Sequence, residues 1–388
     1  MIARPYALIL PLYCVTPVLK RAKCCVKKLF PSKKVSDQHI EMITETLSAY
    51  RSSSFPLGVL AVCEPPTFTA VKSGIEVALV VPFPCISELN DIALTLSEQL
   101  ALTVTFNIAF HVLPVREHHI AGIRNVIAVA SGKGGVGKST TSVNLAYALQ
   151  AEGARVGILD ADIYGPSIPT MLGVTDKKPM SRDGQLMIPV EANGLVLNSI
   201  GFLVPDEDAA VWRGPMASKA FDQLLHETLW GELDYLIIDM PPGTGDIQIT
   251  LSEKVPVAAS VVVTTPQNVA LADAIKGIAM FEKVNIPVLG VIENMSYHIC
   301  DACGNKAHLF GEGGGQFVAE QYQTQLLGHL PLNSDIRADM DCGLSPLIEN
   351  SAGEIAQQYR KIARNTAAQL FLQLDNRSPL TPDVVISE

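Results

Sequence analysis

The octapeptide Gly132-Lys-Gly-Gly-Val-Gly-Lys-Ser139 constrains this chain more than any other segment. It follows the β-branched run Val126–Ala130 and opens a helical stretch, and it fits G-x4-G-K-[ST], a phosphate loop between a strand and a helix. Glycines at 132, 134, 135 and 137 let successive backbone N–H groups turn toward one anion without Cβ clashes. The helix that begins at Ser139 adds its positive end. Lys138 is spaced to reach the β- and γ-phosphates, and the Ser139 hydroxyl is placed to ligate Mg²⁺. Gly132, Lys133, Gly134, Gly135, Val136, Gly137, Lys138, Ser139 and Thr140 are therefore the candidate nucleotide-binding set, with ATP and Mg²⁺ as the expected ligands.

Downstream of Arg124, short β-branched runs alternate with helical stretches, which predicts a mostly parallel sheet covered by helices on both faces. The expected strands are Val126–Ala130, Arg155–Leu159, Tyr235–Asp239, Ser260–Thr264, Val288–Glu293 and Leu326–Leu330. Gln185–Val190 and Leu195–Ile200 flank Glu191-Ala-Asn-Gly194, a hairpin-like turn. Hydrophobic residues make up 48% of the chain and charged residues 18%, enough for a sizeable core. No uncharged apolar run is long enough to span a bilayer, so no membrane association is expected. The net charge of −10 disfavours a general nucleic-acid binder. Eight cysteines in 388 residues do not form a disulfide framework, and a reduced, cytoplasmic setting is expected.

The charge is unevenly spread. The first 36 residues hold eight Lys or Arg and no acid, and are expected to form a disordered basic tail; Cys24 and Cys25 beside lysines leave a lipid anchor as an alternative. Residues 37–118 read as a small α+β module, with helical spacing at Ile40, Ile43 and Leu47, a strand over Gly74–Val81, a helix over Ser87–Leu100 and a strand over Thr103–Phe110. Residues 119–375 carry the phosphate loop, and 376–388 read as a loose polar end. Cys63 and Cys85 lie in apolar surroundings and read as buried. His111, His118 and His119 read as solvated linker residues.

Lys133, early in the loop, makes the form K-G-G-x-G-K-S, which resembles the deviant Walker A ATPases. In that group the extra lysine reaches the phosphates of a partner's nucleotide across a dimer interface, so the resemblance implies an intermolecular charge clamp. Asp160 and Asp162, in Leu-Asp-Ala-Asp-Ile-Tyr-Gly-Pro, fit the first switch of these ATPases. The reading puts Asp160 near Mg²⁺ and Asp162 on the attacking water, with capping roles as the alternative. Asp239 ends an apolar run as the Walker B carboxylate. Pro-Pro-Gly-Thr-Gly-Asp246 resembles the second switch, where the Gly243 N–H would sense the γ-phosphate. Asn294 occupies the position at which relatives bond the adenine edge.

Cys300-Asp-Ala-Cys303 is the second constellation. Two thiolates three positions apart can grip one metal or one cluster edge, but a tetrahedral site or a cubane needs four ligands. Chemistry alone leaves three readings open: a site shared between two chains, a zinc knuckle completed by His298 and His308, and redox or structural thiols. The phosphate loop, Asp-Ala-Asp-Ile-Tyr-Gly-Pro-Ser-Ile-Pro, Val-Trp-Arg-Gly-Pro-Met, Asp-Met-Pro-Pro-Gly-Thr-Gly-Asp and Glu-Asn-Met-Ser-x-x-x-Cys-x-x-Cys occur in that order. Together they resemble the Mrp/ApbC family of iron–sulfur cluster carrier ATPases over residues 120–372. The resemblance implies a homodimer whose paired Cys300 and Cys303 hold one bridging [4Fe–4S] cluster, taken from scaffold proteins and passed to apo-proteins. It also implies that 40–115 is similar to the small MIP18-like domain, degenerate here because Cys-Glu-Pro-Pro66 stands where an acidic Asp-Pro-Glu turn is expected. A MinD- or ParA-like positioning ATPase is the competing class. It lacks support from the acidic, Pro-containing C-terminal end, which offers neither an amphipathic membrane helix nor a basic face.

Overall fold

The computed structural model describes residues 35–181, 184–203 and 214–374. The basic segment before 35, the Val-Trp-Arg of 211–213 and the chain end from 375 lie outside the described residues.

The first unit begins with α1 (Asp37–Ala49), whose Ser36 hydroxyl accepts the His39 N–H as an N-cap. Ile43 and Leu47 are its buried stripe. Strands β1 (Thr67–Val71) and β2 (Gly74–Val81), helix α2 (Ile86–Leu100) and strand β3 (Thr103–Phe110) follow. They form a three-stranded sheet in the order β1-β2-β3, antiparallel and then parallel. The β1–β2 hairpin was not legible in the sequence: β1 is alternately exposed and half-buried, so it lacks the apolar signal that marks β2.

The larger unit runs through β4 (Ile123–Ala130), α3 (Lys138–Ala151), β5 (Val156–Asp160), α4 (Ile168–Met171), β6 (Met180–Ser181), β7 (Met187–Ile188), β8 (Val190–Ala192) and β9 (Leu195–Ser199). It continues with α5 (Gly214–His226), β10 (Leu233–Asp239), α6 (Asp246–Lys254), β11 (Ala259–Thr264), α7 (Asn268–Lys283), β12 (Val288–Ile299) and β13 (Lys306–Ala307). The last elements are α8 (Gly314–Gln321), β14 (Gln325–Pro331), α9 (Ser334–Asp341), α10 (Pro346–Glu349) and α11 (Glu354–Leu372). Strands β12, β11, β4, β10, β5 and β9 lie side by side and parallel, with β14 parallel to β12. Antiparallel β13 and β8 close the two ends. Both faces of β4, β10 and β11 are buried, as a parallel sheet between helical layers requires. The β8–β9 hairpin turns on Asn193 and Gly194, with φ of 48° and 84°, the left-handed pair that a tight two-residue turn demands.

Strand β12 differs from expectation. It does not stop at Glu293 but runs to Ile299, with its pairing to β14 broken between Glu293 and Tyr297 and Met295 at φ 56°. The irregularity lets one strand serve both the nucleotide loop and the cysteine pair.

The small module packs directly on the larger unit through one continuous apolar core that includes Leu89, Leu96, Tyr147 and Tyr359. A polar clamp accompanies it. Arg364 of α11 donates to Glu88 of α2 and to Glu152 after α3, each at 3.1 Å, and both carboxylates are buried. His118 is half-buried, with Nε2 3.3 Å from the Arg124 carbonyl, which corrects its reading as a solvated residue.

Candidate functional site

The phosphate loop follows β4, and β5 and β10 deliver their last residues, Asp160 and Asp239, to the same edge of the sheet. Ligands of open α/β sheets bind at the carboxyl ends of the strands. A Cβ at Gly132 would lie 2.1 Å from the Asp273 carbonyl of α7, so this glycine lets the loop pass against a helix backbone. Gly137 has φ 83°, and a Cβ there would lie 2.2 Å from Asn294 Nδ2.

Lys138 is buried and its Nζ sits 2.7 Å from Asp239 Oδ2, 3.4 Å from Asp162 Oδ2 and 3.2 Å from Ser139 Oγ. The Ser139 hydroxyl donates to Asp239 Oδ2 at 2.6 Å, and the Ser142 hydroxyl to Oδ1 at 2.6 Å. Ser142 was not singled out from the sequence, although its place four residues after Lys138, on the same helix face, was the available signal. A charged pair this deeply buried is favourable only because hydroxyls occupy the remaining carboxylate lone pairs.

Asp160 is fully buried. Its Oδ1 accepts the Asp162 N–H at 3.1 Å, while Oδ2 accepts the Ile168 N–H at 3.2 Å and the Ser199 hydroxyl at 3.0 Å. These bonds shape the 160–168 loop. Burial, and then the neighbouring Asp239 charge, push its carboxyl up to about 7. Asp162 is also raised by burial, partly offset by Lys138, and its Oδ1 accepts the Tyr164 N–H at 3.3 Å.

The Gly243 N–H donates to the Ser131 carbonyl at 2.9 Å, at the start of the loop. The Asn294 amide donates to the Val136 carbonyl at 2.9 Å and is buried against Gly137, where it supports the loop. The Thr140 carbonyl accepts from Asn144 within the helix. Lys133 is half-buried and makes no ion pair among the described residues.

The cysteine pair caps the hairpin between β12 and β13, whose register joins His298 to Ala307 and Ile299 to Lys306. The Cys300 N–H donates to the Asn305 carbonyl at 3.0 Å, and the Gly304 N–H to the Cys300 carbonyl at 2.8 Å, closing the turn. Backbone N–H groups of Ala302 and Cys303 point at the Cys300 sulfur and hold its thiol below the usual range. Cys303 is exposed and Cys300 half-exposed. Both thiols therefore face solvent on a preformed loop, the condition for a reactive or metal-binding sulfur. By contrast, burial pushes Cys63 up to about 12 and raises Cys85 well above its ordinary value.

The histidines proposed for a zinc knuckle point elsewhere. His298 Nδ1 lies 3.2 Å from the Leu332 carbonyl, and His308 Nδ1 lies 3.0 Å from the Ser296 carbonyl. Among the described residues, no three His, Cys, Asp or Glu side chains come together to hold a metal within one chain.

Residues 122–367 match the family described as ParA-type NUBPL iron-transfer P-loop NTPase. The chain is 61% identical over 254 residues to the iron–sulfur cluster carrier protein of Escherichia coli K12, covering 66% of this chain and 69% of that protein. It is 41% identical over 271 residues to the iron–sulfur cluster transfer protein NUBPL of Dictyostelium discoideum, covering 69% and 84%. A solved nucleotide-binding protein of Archaeoglobus fulgidus, in complex with ADP, is 39% identical with a TM-score of 0.52 over 58% of this chain and 88% of that one.

Proposed function

The chain belongs to the ParA-type NUBPL iron-transfer P-loop NTPases, and from that membership we propose that it is an ATP-hydrolysing carrier of iron–sulfur clusters that delivers them to apo-proteins. The observation that carries the reading is the pair of solvent-facing thiols on one hairpin, with the Cys300 sulfur stabilised by backbone N–H groups. One chain supplies two thiolates and a [4Fe–4S] cargo needs four ligands, so two copies would hold one cluster through Cys300 and Cys303 of each.

At the nucleotide site, the backbone N–H groups of 132–140 and the start of α3 receive the phosphates, and Lys138 neutralises the charge that develops on the transferred phosphoryl group. Asp239 holds Lys138 and Ser139 in register. The Ser139 hydroxyl and Asp239 carboxylate are hard oxygen donors that suit Mg²⁺, directly or through water. Asp162, beside Lys138, is placed to accept a proton from, or orient, an attacking water. Lys133 would act in trans on the partner's nucleotide.

The test is anaerobic reconstitution of the whole protein, with iron, sulfide and zinc counted per chain and mass measured in solution. About four irons per two chains, found only in a dimer, supports the carrier. A folded monomer holding one zinc per chain through Cys300 and Cys303 would replace it with a structural knuckle.

A further inference from the structure

At the base of the cysteine hairpin, between β12, β14 and α11, lies an open basin of about 450 Å³. Lys306, Lys361 and His329 line it, and no Asp or Glu does among the described residues. That is unusual for this chain, in which residues after 36 carry 21 Lys or Arg against 39 acids. The Lys306 ammonium lies 3.8 Å above the Tyr297 ring centroid, and among the described residues neither Lys306 nor Lys361 forms an ion pair.

His329 is set from behind: its Nδ1 lies 3.1 Å from Oε1 of the buried Glu293, leaving Nε2 without a protein partner among the described residues. The Glu293 carboxylate also accepts the Ser296 hydroxyl and the Gly315 N–H, so it is anchored on three sides. Tyr297 and Gln358, joined by a 2.7 Å hydrogen bond from the Gln358 amide to the phenol oxygen, form a wall of the basin. On the other side of that wall lies a depression of about 480 Å³ lined by Asp301, Asp335, Asp339 and Glu354. Charge is thus sorted across one side-chain pair.

We infer that the basin is a binding site for a small multivalent oxyanion, carrying carboxylate or phosphate groups, that grips Lys306, Lys361 and His329 together. Its volume suits a small metabolite, and its lining offers two lysines and a histidine with no carboxylate among the described residues. Lys306 is the register partner of Ile299, the residue before Cys300, so the bound anion sits at the foot of the cargo-binding turn. The inference concerns residues separate from the phosphate loop and does not rest on the carrier reading.

Calorimetric titration of the whole protein, with its phosphate loop saturated by ADP, tests it. One arm uses tricarballylate as the carboxylate probe, the other inorganic pyrophosphate. Saturable binding of either at one site per chain is expected, and the stronger arm identifies the group chemistry. Lys306→Gln and Lys361→Gln should each weaken that binding by about fivefold, the scale of one partly exposed charge pair. Lys72→Gln, on the β1–β2 turn, should leave it unchanged. Loss of neither probe's binding in both basin variants, equal weakening by Lys72→Gln, or no saturable binding at all would overturn the inference. Binding of an acidic peptide with no binding of either small anion would also overturn it, in favour of a protein-docking surface.

Discussion

Asp160 and Asp239 are direct register partners at the ends of neighbouring parallel strands, and both are fully buried beside the single ammonium of Lys138. Two carboxylates sharing one cation cannot both ionise without strain, and the cost falls on Asp160, whose oxygens meet only neutral donors.

The pH dependence follows. A carboxyl raised to about 7 when folded, from 3.8 when free, holds a proton in the folded state across that window. Its stabilising contribution is complete below about pH 4 and is lost as pH rises through 7. Chemical denaturation of nucleotide-free protein should show this decline, and Asp160→Asn should flatten it. An unchanged slope in the variant would assign the titration to another group.

Lys138→Ala should abolish ATP hydrolysis and also lower the stability of the nucleotide-free protein by about 3 kcal/mol, because Asp239 is left buried without its cation. Lys133→Ala should slow turnover while leaving nucleotide binding by one chain intact. Turnover assays, equilibrium binding of a fluorescent nucleotide and melting curves separate these effects. Equal loss of nucleotide binding in both variants would exclude a role for Lys133 across an interface.

Cys300→Ala and Cys303→Ala should each prevent stable iron loading with basal hydrolysis retained, since the thiols and the phosphate loop are separate groups on β12 and β4. Cys63→Ala and Cys342→Ala should load normally. Iron and sulfide analysis after reconstitution reads the outcome.

Arg364→Ala should destabilise the whole protein by about 3–5 kcal/mol, leaving Glu88 and Glu152 buried without their shared cation. Adding Glu88→Gln and Glu152→Gln should recover part of that loss. Urea melts of the single and triple variants provide the comparison, and the α2–α11 contact makes a single cooperative transition the expected form.

Local chemistry made much of this protein legible before its shape was known. The phosphate loop, the strand that precedes it and the exposed Cys-x-x-Cys turn are encoded within short stretches, because glycine spacing, β-branched runs and turn geometry act over a few residues. Asp239 was readable for the same reason, as a carboxylate ending an apolar strand. Tertiary structure decided which groups each of those residues meets. That Asp160 caps a loop, that Asn294 braces Val136 and that Gly243 bonds Ser131 depend on which strands become neighbours. The Arg364 clamp joins residues more than 200 positions apart, and no local signal marks it. Burial and charge pairing are properties of assembled neighbours, so only the folded chain could assign them.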